Sequence, residues 1–199
     1  MLFRSYAPQI WLGHNRLSIL DLSPAGRQPM VSPDGRYSLI YNGEIYNYVE
    51  LREELKRLGH AFQSTGDTEV LLAAFCQWGE DAFRRFNGMW ALAIWDARER
   101  CLIMCRDRYG IKPLYFARSG GSWIVASEIK PILHLRDATL VVDTSAFVSF
   151  FAEGLTDALP NTWFKGVERI PPATSVVIDS DGGFRKAKWY DLQIGRAHV

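Results

Sequence analysis

Met89–Trp95 is an almost unbroken apolar run, and a second, Cys101–Arg106, follows across the Asp96–Arg100 turn. A strand with apolar residues in both of its alternating sets must be covered on both faces. Leu114–Ala117 and Trp123–Ala126, around Ser119–Ser122, read as a third and fourth strand, which predicts an antiparallel meander. Before these strands the spacing predicts helices over about 48–58, 68–78 and 81–86. In the first, Leu51, Leu55 and Leu58 share a face, Asn47 and Glu50 form a capping-box-like pair, and Gly59 ends the helix. Later come a short helix over Ile129–Leu133, a helix capped by Asp143 or Thr144, and a hairpin around Asp181-Gly182-Gly183. Strands, then helices, then strands again imply an α+β fold, its sheets packed on each other and its helices outside.

Composition removes several function classes. The 199 residues, 48% hydrophobic, suffice for one domain with a substantial core. The 23 basic and 22 acidic residues nearly cancel, so no basic stripe points to nucleic acid or an anionic membrane surface. No run of about 18 apolar residues suggests a membrane span, and Met1–Ser5 is too short and polar for a signal peptide. Cys76, Cys101 and Cys105 give no disulfide framework, which favours a cytoplasmic setting. Residues 194–199 read as a translated sequencing adapter, and residues 1–5 as the opposite strand of one. The expected organisation is therefore two scars, 1–5 and 194–199, flanking a domain over 6–153 and a passage over 154–193.

The chemistry centres on Tyr41-Asn42-Gly43-Glu44-Ile45-Tyr46-Asn47. Asn-Gly is a strong hairpin-turn signal, since both residues tolerate positive φ. The same pair can form an oxyanion hole from the Asn42 amide and the Gly43 N–H. Arg16 lies in a polar break between two extended runs, where it suits either a surface strand edge or a clamp for a carboxylate. Asp67, just before an apolar helix, suits an N-cap or a partner for an ammonium group. Glu44 suits a general base or a structural ion pair. Arg106-Asp107-Arg108-Tyr109-Gly110 reads as a structural ion-pair network at a strand end. The cysteines read as core residues, and His14, His60 and His134 are scattered, so neither a zinc set nor a Ser-His-Asp order emerges. Together Arg16, Asn42-Gly43 and Asp67 suit an α-amino acid whose side-chain amide is attacked.

These residues carry a resemblance. Leu12-Gly13-His14-Asn15-Arg16-Leu17-Ser18-Ile19-Leu20-Asp21-Leu22 with Gln28-Pro29-Met30 opens it. The Tyr41–Asn47 stretch, Thr65-Gly66-Asp67-Thr68-Glu69, Gly88-Met89-Trp90-Ala91, Arg106–Tyr115 and Ala126-Ser127-Glu128 continue it in order. The chain resembles the class II glutamine amidotransferase domain of glutamine-hydrolysing asparagine synthetases over about 11–192. The resemblance implies a four-layer αββα sandwich of the N-terminal-nucleophile hydrolase type. It implies that Arg16 holds the α-carboxylate of L-glutamine, with the backbone of Leu17, Ser18, Ile19 and Leu20 lining the pocket. Asn42 and Gly43 would form the oxyanion hole, Asp67 would hold the α-ammonium, and Glu44 would lie alongside. This domain would need no cofactor or metal. ATP and Mg would belong to a synthetase domain of the parent chain, the partner that receives ammonia for aspartate. Oligomeric state is left open, a homodimer among the options.

One departure matters. The family's nucleophile is a cysteine at the mature amino terminus, whose own amine is its base. The expected Met-Cys-Gly start and first strand are missing here, and an interior cysteine has no α-amine. The expectation is a fragment that does not hydrolyse glutamine, although its parent does, and that leaves a sheet edge exposed. Two alternatives remain: an amidotransferase domain serving purine or amino-sugar synthesis, or a non-catalytic glutamine-binding or scaffold domain.

Overall fold

Nine residues of strand, Gly88–Asp96 (β5), lie at the centre of the molecule, and five of its last seven side chains belong to one of two apolar clusters on opposite faces. The computed structural model describes residues 2–5 (as backbone), 10–16, 20–136, 139–154 and 161–192. In chain order the elements are β1 (Leu2–Ser5), β2 (Trp11–His14), β3 (Met30–Val31), β4 (Tyr37–Ile45), α1 (Tyr48–Arg57), α2 (Asp67–Trp78), α3 (Ala82–Arg85), β5, β6 (Cys101–Arg106), β7 (Tyr115–Ser119), β8 (Ser122–Ala126), α4 (Ile129–Leu135), α5 (Thr144–Glu153), β9 (Val167–Arg169), β10 (Thr174–Asp179) and β11 (Phe184–Lys188). Among the described residues, no helix is long and apolar enough to cross a membrane.

Four layers follow from strand alternation. The main sheet runs β11-β10-β6-β5-β4-β3, and a smaller one runs β8-β7-β9. One face of the main sheet, with Leu39, Tyr41, Ile45, Trp90, Leu92, Ile94 and Cys105, packs on Leu51 and Leu55 of α1, Leu71 and Phe75 of α2 and Phe83 of α3. Its other face, with Ala91, Ala93, Met104, Val176 and Ile178, meets Leu114, Phe116 and Ile170 beside and within the small sheet. The small sheet's outer face packs Ala117 and Val167 against Ile132 of α4. The order is helices, sheet, sheet, helix: the expected αββα sandwich. β1 pairs antiparallel with β2, Leu2 opposite His14, so residues 2–5, set aside above as a scar, are in a backbone ladder.

The meander does not form as expected. β5 and β6 pair, but β10 takes the next place beside β6, and β7 and β8 belong to the other sheet. The cause is the Arg106–Gly110 segment. Asp107 is fully buried, and its carboxylate accepts from the N–H groups of Trp90, Tyr109, Ile111 and Lys112. Arg106 donates to the carbonyls of Lys112 (2.6 Å), Ile170 (2.7 Å) and Gly110. Arg108 donates to those of Arg84 and Phe86. These charges bind main chain and turn the strand out of its sheet; the segment is structural, as read, through charge-assisted backbone bonds where ion pairs were expected.

Helix ends bring two further corrections. Asn47 makes no side-chain cap; its amide bridges to Arg85 O (3.0 Å) and Asn87 N (2.9 Å), which ties α1 to the end of α3. Leu58 is exposed, beyond the buried stripe of Leu51 and Leu55. Asp143 does cap α5, accepting from Ser145 N and Ala146 N. The aromatic and β-branched residues over Tyr6–Leu12 predict a strand, which falls partly on residues 6–9, outside the described residues.

Candidate active site

Of the two readings of Asn42-Gly43, the hairpin turn is absent, because β4 runs straight through the pair. Asn42 lies opposite Ala91 and Gly43 opposite Trp90 in an unbroken antiparallel register. The glycine is required there: a Cβ on Gly43 would sit 2.3 Å from Met89 O and 2.6 Å from Trp90 Cα. Gly88 on β5 is equally constrained, since its Cβ would meet Glu44 O at 2.1 Å. Both strands shed side chains at this crossing, and the two backbones close up.

Ladder alternation then decides which N–H groups are open. Backbone groups of Tyr41, Gly43 and Ile45 turn away from β5, towards the edge that β3 covers only at Leu39 and Ser38. Side chains close that edge where β3 ends. Gln28 Oε1 accepts from Tyr41 N (2.6 Å), and His14 Nε2 lies 3.1 Å from Tyr41 O. Asp67 Oδ2 accepts from Ile45 N (3.0 Å) and from the Tyr41 hydroxyl (2.6 Å). Between them, the Gly43 N–H has no partner among the described residues. The alternation places Asn42 and Glu44 on the strand's other face, Asn42 exposed and Glu44 half-buried.

Asp67 is not the cap the sequence suggested. Gly66 holds the N-cap position, Asp67 is the first residue of α2, and no side-chain cap bond forms. It is buried at 6% exposure. Oδ2 takes both bonds from β4, and Oδ1 has no partner among the described residues. The preceding loop is rigidly held. Arg52 donates to Ser64 O and Gly66 O, Glu69 accepts from Gln63 N and Ser64 N, and Asp21 Oδ2 accepts from Thr65 N (3.0 Å).

Arg16, at the end of β2, curls over its own loop. Its guanidinium donates to Ser23 O (2.9 Å) and Asp21 O and fills the space where a side chain on Gly26 would be. The rest of the fork has no partner among the described residues, so a guanidinium held on one side can bind a carboxylate on the other. Asp21 links the parts: it accepts from Ser23 N (2.7 Å) on the Arg16 loop and from Thr65 N beside Asp67. Bonds from the Ser23 hydroxyl and from these N–H groups hold the Asp21 carboxyl down to about 2. Leu20 is exposed; Leu17, Ser18 and Ile19 lie outside the described residues. Among the described residues, no cluster of His, Cys, Asp and Glu could hold a metal.

His14, Asp21, Gln28 and Tyr41 belong to this network without having been singled out from sequence. His14 was read as scattered, yet it stands two places after buried Leu12 on a short strand, a spacing that turns both to one side. Burial lowers the His14 pKa, which favours the neutral ring, and its buried Nδ1 has no partner among the described residues. Burial and the Asp67 charge push the Tyr41 phenol far up, so it stays protonated and donates.

Residues 4–190 match the glutamine amidotransferase domain family. The chain is 39% identical over 175 residues to glutamine-hydrolyzing asparagine synthetase 3 of Bacillus subtilis, covering 87% of this chain and 28% of that protein. It is 47% identical over 128 residues to a putative glutamine-hydrolyzing asparagine synthetase of Mycobacterium bovis, covering 62% of this chain and 20% of that one. Among solved structures, glutamine phosphoribosylpyrophosphate amidotransferase from B. subtilis, complexed with ADP and GMP, superposes with a TM-score of 0.63 at 20% identity, covering 92% of this chain and 35% of that chain. That likeness is one of fold. The chain thus spans well under half the length of these relatives. On the family match and the shared sandwich together, it belongs to the glutamine amidotransferase domain family.

Proposed function

We propose that this domain binds L-glutamine along the β4 edge, with its side-chain amide at Asn42 and Gly43, its α-ammonium at Asp67 and its α-carboxylate at Arg16. The observation that carries the reading is Asp67. A carboxylate on a buried residue, with one oxygen engaged by β4 and the other without a partner among the described residues, suits a cation, and it stands beside a backbone N–H left open at Gly43. Ammonium, amide and carboxylate recognition at one site describes glutamine.

In hydrolysis by the parent, the thiol of the family's amino-terminal cysteine would pass its proton to its own amine and bond to the amide carbon, turning the carbonyl oxygen into an oxyanion; that proton would then leave with the ammonia. The Gly43 N–H and the Asn42 amide would stabilise the oxyanion, at about 3–4 kcal/mol per well-placed donor. Collapse then expels ammonia, and a second attack by water releases glutamate. The parent would pass the ammonia to a synthetase domain that makes asparagine, as the names of the relatives suggest, and ATP and Mg would belong to that domain. Cys76, Cys101 and Cys105 do not supply the nucleophile. Cys105 is fully buried on the helix-facing side of β6, Cys101 packs against that same core, and Cys76 is on α2. The sequence in hand thus carries the binding half of the site and no interior thiol to complete it.

Isothermal titration of the purified 199-residue chain tests this. Saturable binding of L-glutamine, absent for D-glutamine and weakened by Asn42→Ala, is expected, with no glutamate released. Failure to bind L-glutamine overturns the reading. Glutamate release that Asn42→Ala abolishes would show that the chain hydrolyses after all.

A further inference from the structure

Tyr41 is gripped at three points, and each grip comes from a different segment. Its N–H donates to Gln28 Oε1 at 2.6 Å, its carbonyl oxygen lies 3.1 Å from His14 Nε2, and its hydroxyl donates to Asp67 Oδ2 at 2.6 Å. It is 4% exposed. The residue next but one, Gly43, offers the open N–H, and the residue after that pair, Ile45, gives its own N–H to the same Asp67 oxygen. So one carboxylate oxygen is tied twice to β4, on either side of the open position, and the geometry of Asp67 is fixed relative to Gly43 through Tyr41.

We propose that Tyr41 is a positioning residue for substrate: its hydroxyl holds Oδ2 of Asp67, so that Oδ1 alone meets the α-ammonium at a set distance from the Gly43 N–H. This rests on the glutamine reading above. His14 and Gln28 hold the peptide groups of Tyr41 where β3 no longer can, and a carboxylate held by two donors cannot swing away when the ammonium leaves. A hydrogen bond to a charged group contributes enough for its loss to be seen as about a tenfold change in affinity.

The test compares two ligands, L-glutamine and 4-carbamoylbutanoate, the same molecule without its α-amino group. The Tyr41→Phe chain keeps the ring and loses only the hydroxyl. It is expected to bind L-glutamine about tenfold more weakly while 4-carbamoylbutanoate binding stays unchanged. Asp67→Asn is measured alongside. If Asp67→Asn loses the preference for L-glutamine and Tyr41→Phe keeps wild-type affinity, the Tyr41 proposal fails and the glutamine reading stands. If the unaltered chain does not prefer L-glutamine, the reading fails and takes the proposal with it. Equal weakening of both ligands by Tyr41→Phe shows a general structural role and also overturns it. Should Tyr41→Phe not fold, the unaltered chain labelled with 13C at tyrosine Cζ decides. L-glutamine is expected to shift the Tyr41 resonance and 4-carbamoylbutanoate to leave it; no difference between the two overturns the proposal.

Discussion

Asp107 and Trp90 are joined twice: the Asp107 N–H donates to Trp90 O at 2.8 Å, and Asp107 Oδ2 accepts from the Trp90 N–H at 3.2 Å. That pair extends the β5–β6 ladder by one step and then replaces it, because the same carboxylate turns to collect Tyr109, Ile111 and Lys112. Trp90 in turn stacks on Trp189 at 5.4 Å and meets Phe83 and Phe86 at 5.8 Å each. One buried charge thereby sets the end of the strand whose partner, β4, carries Asn42 and Gly43.

Asp107→Ala should therefore be among the most damaging single changes. It strands the buried Trp90 N–H, at about 1–3 kcal/mol, and takes the partner from the half-buried N–H groups of Tyr109, Ile111 and Lys112 as well. A loss of about 3 kcal/mol or more is expected in urea unfolding followed by tryptophan fluorescence, and Asp107→Asn should recover only part of it. A midpoint within experimental error of wild type would show that water replaces the carboxylate freely.

The Gly43–Trp90 crossing predicts a second asymmetry. In Gly43→Ala the new methyl meets Met89 O, Trp90 Cα and Trp90 Cβ, none of which can rotate aside. β4 and β5 must part, at a cost of about 1–3 kcal/mol or more, and the open N–H moves with them. Gly120→Ala meets nothing within 4 Å, and its φ of +53° carries only the left-handed penalty, about 1–2 kcal/mol. Gly43→Ala should lose glutamine binding and Gly120→Ala should keep it, measured by titration on folded samples of both.

How far the sequence foretold this site can be said residue by residue. The apolar runs around Trp90 and Cys105 announced a sheet covered on both faces, and the motif order announced the sandwich. Asn42-Gly43 was legible as an oxyanion candidate only by weighing it against a turn, since local propensity favours the turn and long-range pairing with β5 decides otherwise. Asp67 looked like a cap because caps and ligand carboxylates use the same residue at the same place. Its bond to Tyr41 spans 26 residues, and no local pattern encodes it. The departure of β7 from β6 was equally hidden, because four N–H groups converging on Asp107 are a tertiary fact.

Asp21 gives a pH-dependent prediction. Its carboxyl is held down to about 2 from an ordinary 3.8, chiefly by the Ser23 hydroxyl and then by the N–H groups of Ser23 and Thr65. The folded state therefore prefers the ionised form. The stabilisation is complete above the ordinary value and is lost as pH falls through the folded one. Wild type should exceed Asp21→Asn in urea midpoint by a constant margin near neutrality, and the margin should shrink below about pH 4 and vanish near pH 2. A margin unchanged from pH 6 to pH 2 would mean that the Thr65 and Ser23 bonds survive protonation.

The thiols offer a last check, on which side of the sheet chemistry can occur. Cys105 is fully buried between Leu92 and Ser175 in the sheet register, on the face that meets the helices, and burial raises its thiol well above the ordinary value. Cys76 is exposed as a residue, but its thiol is pushed up to about 11, chiefly by desolvation. A thiol reacts as the thiolate, so both should be sluggish at pH 8, for different reasons. With iodoacetamide, Cys76 should label slowly and faster as pH is raised. Cys105 should stay unlabelled until urea unfolds the chain, whatever the pH short of unfolding. L-glutamine should protect neither, because Cys105 is fully buried on β6, two strands away from the β4 edge, and Cys76 is at the other end of α2 from Asp67. Rapid native labelling of Cys105, blocked by L-glutamine, would place a reactive thiol at the site and reverse the conclusion that the nucleophile lies outside these three cysteines.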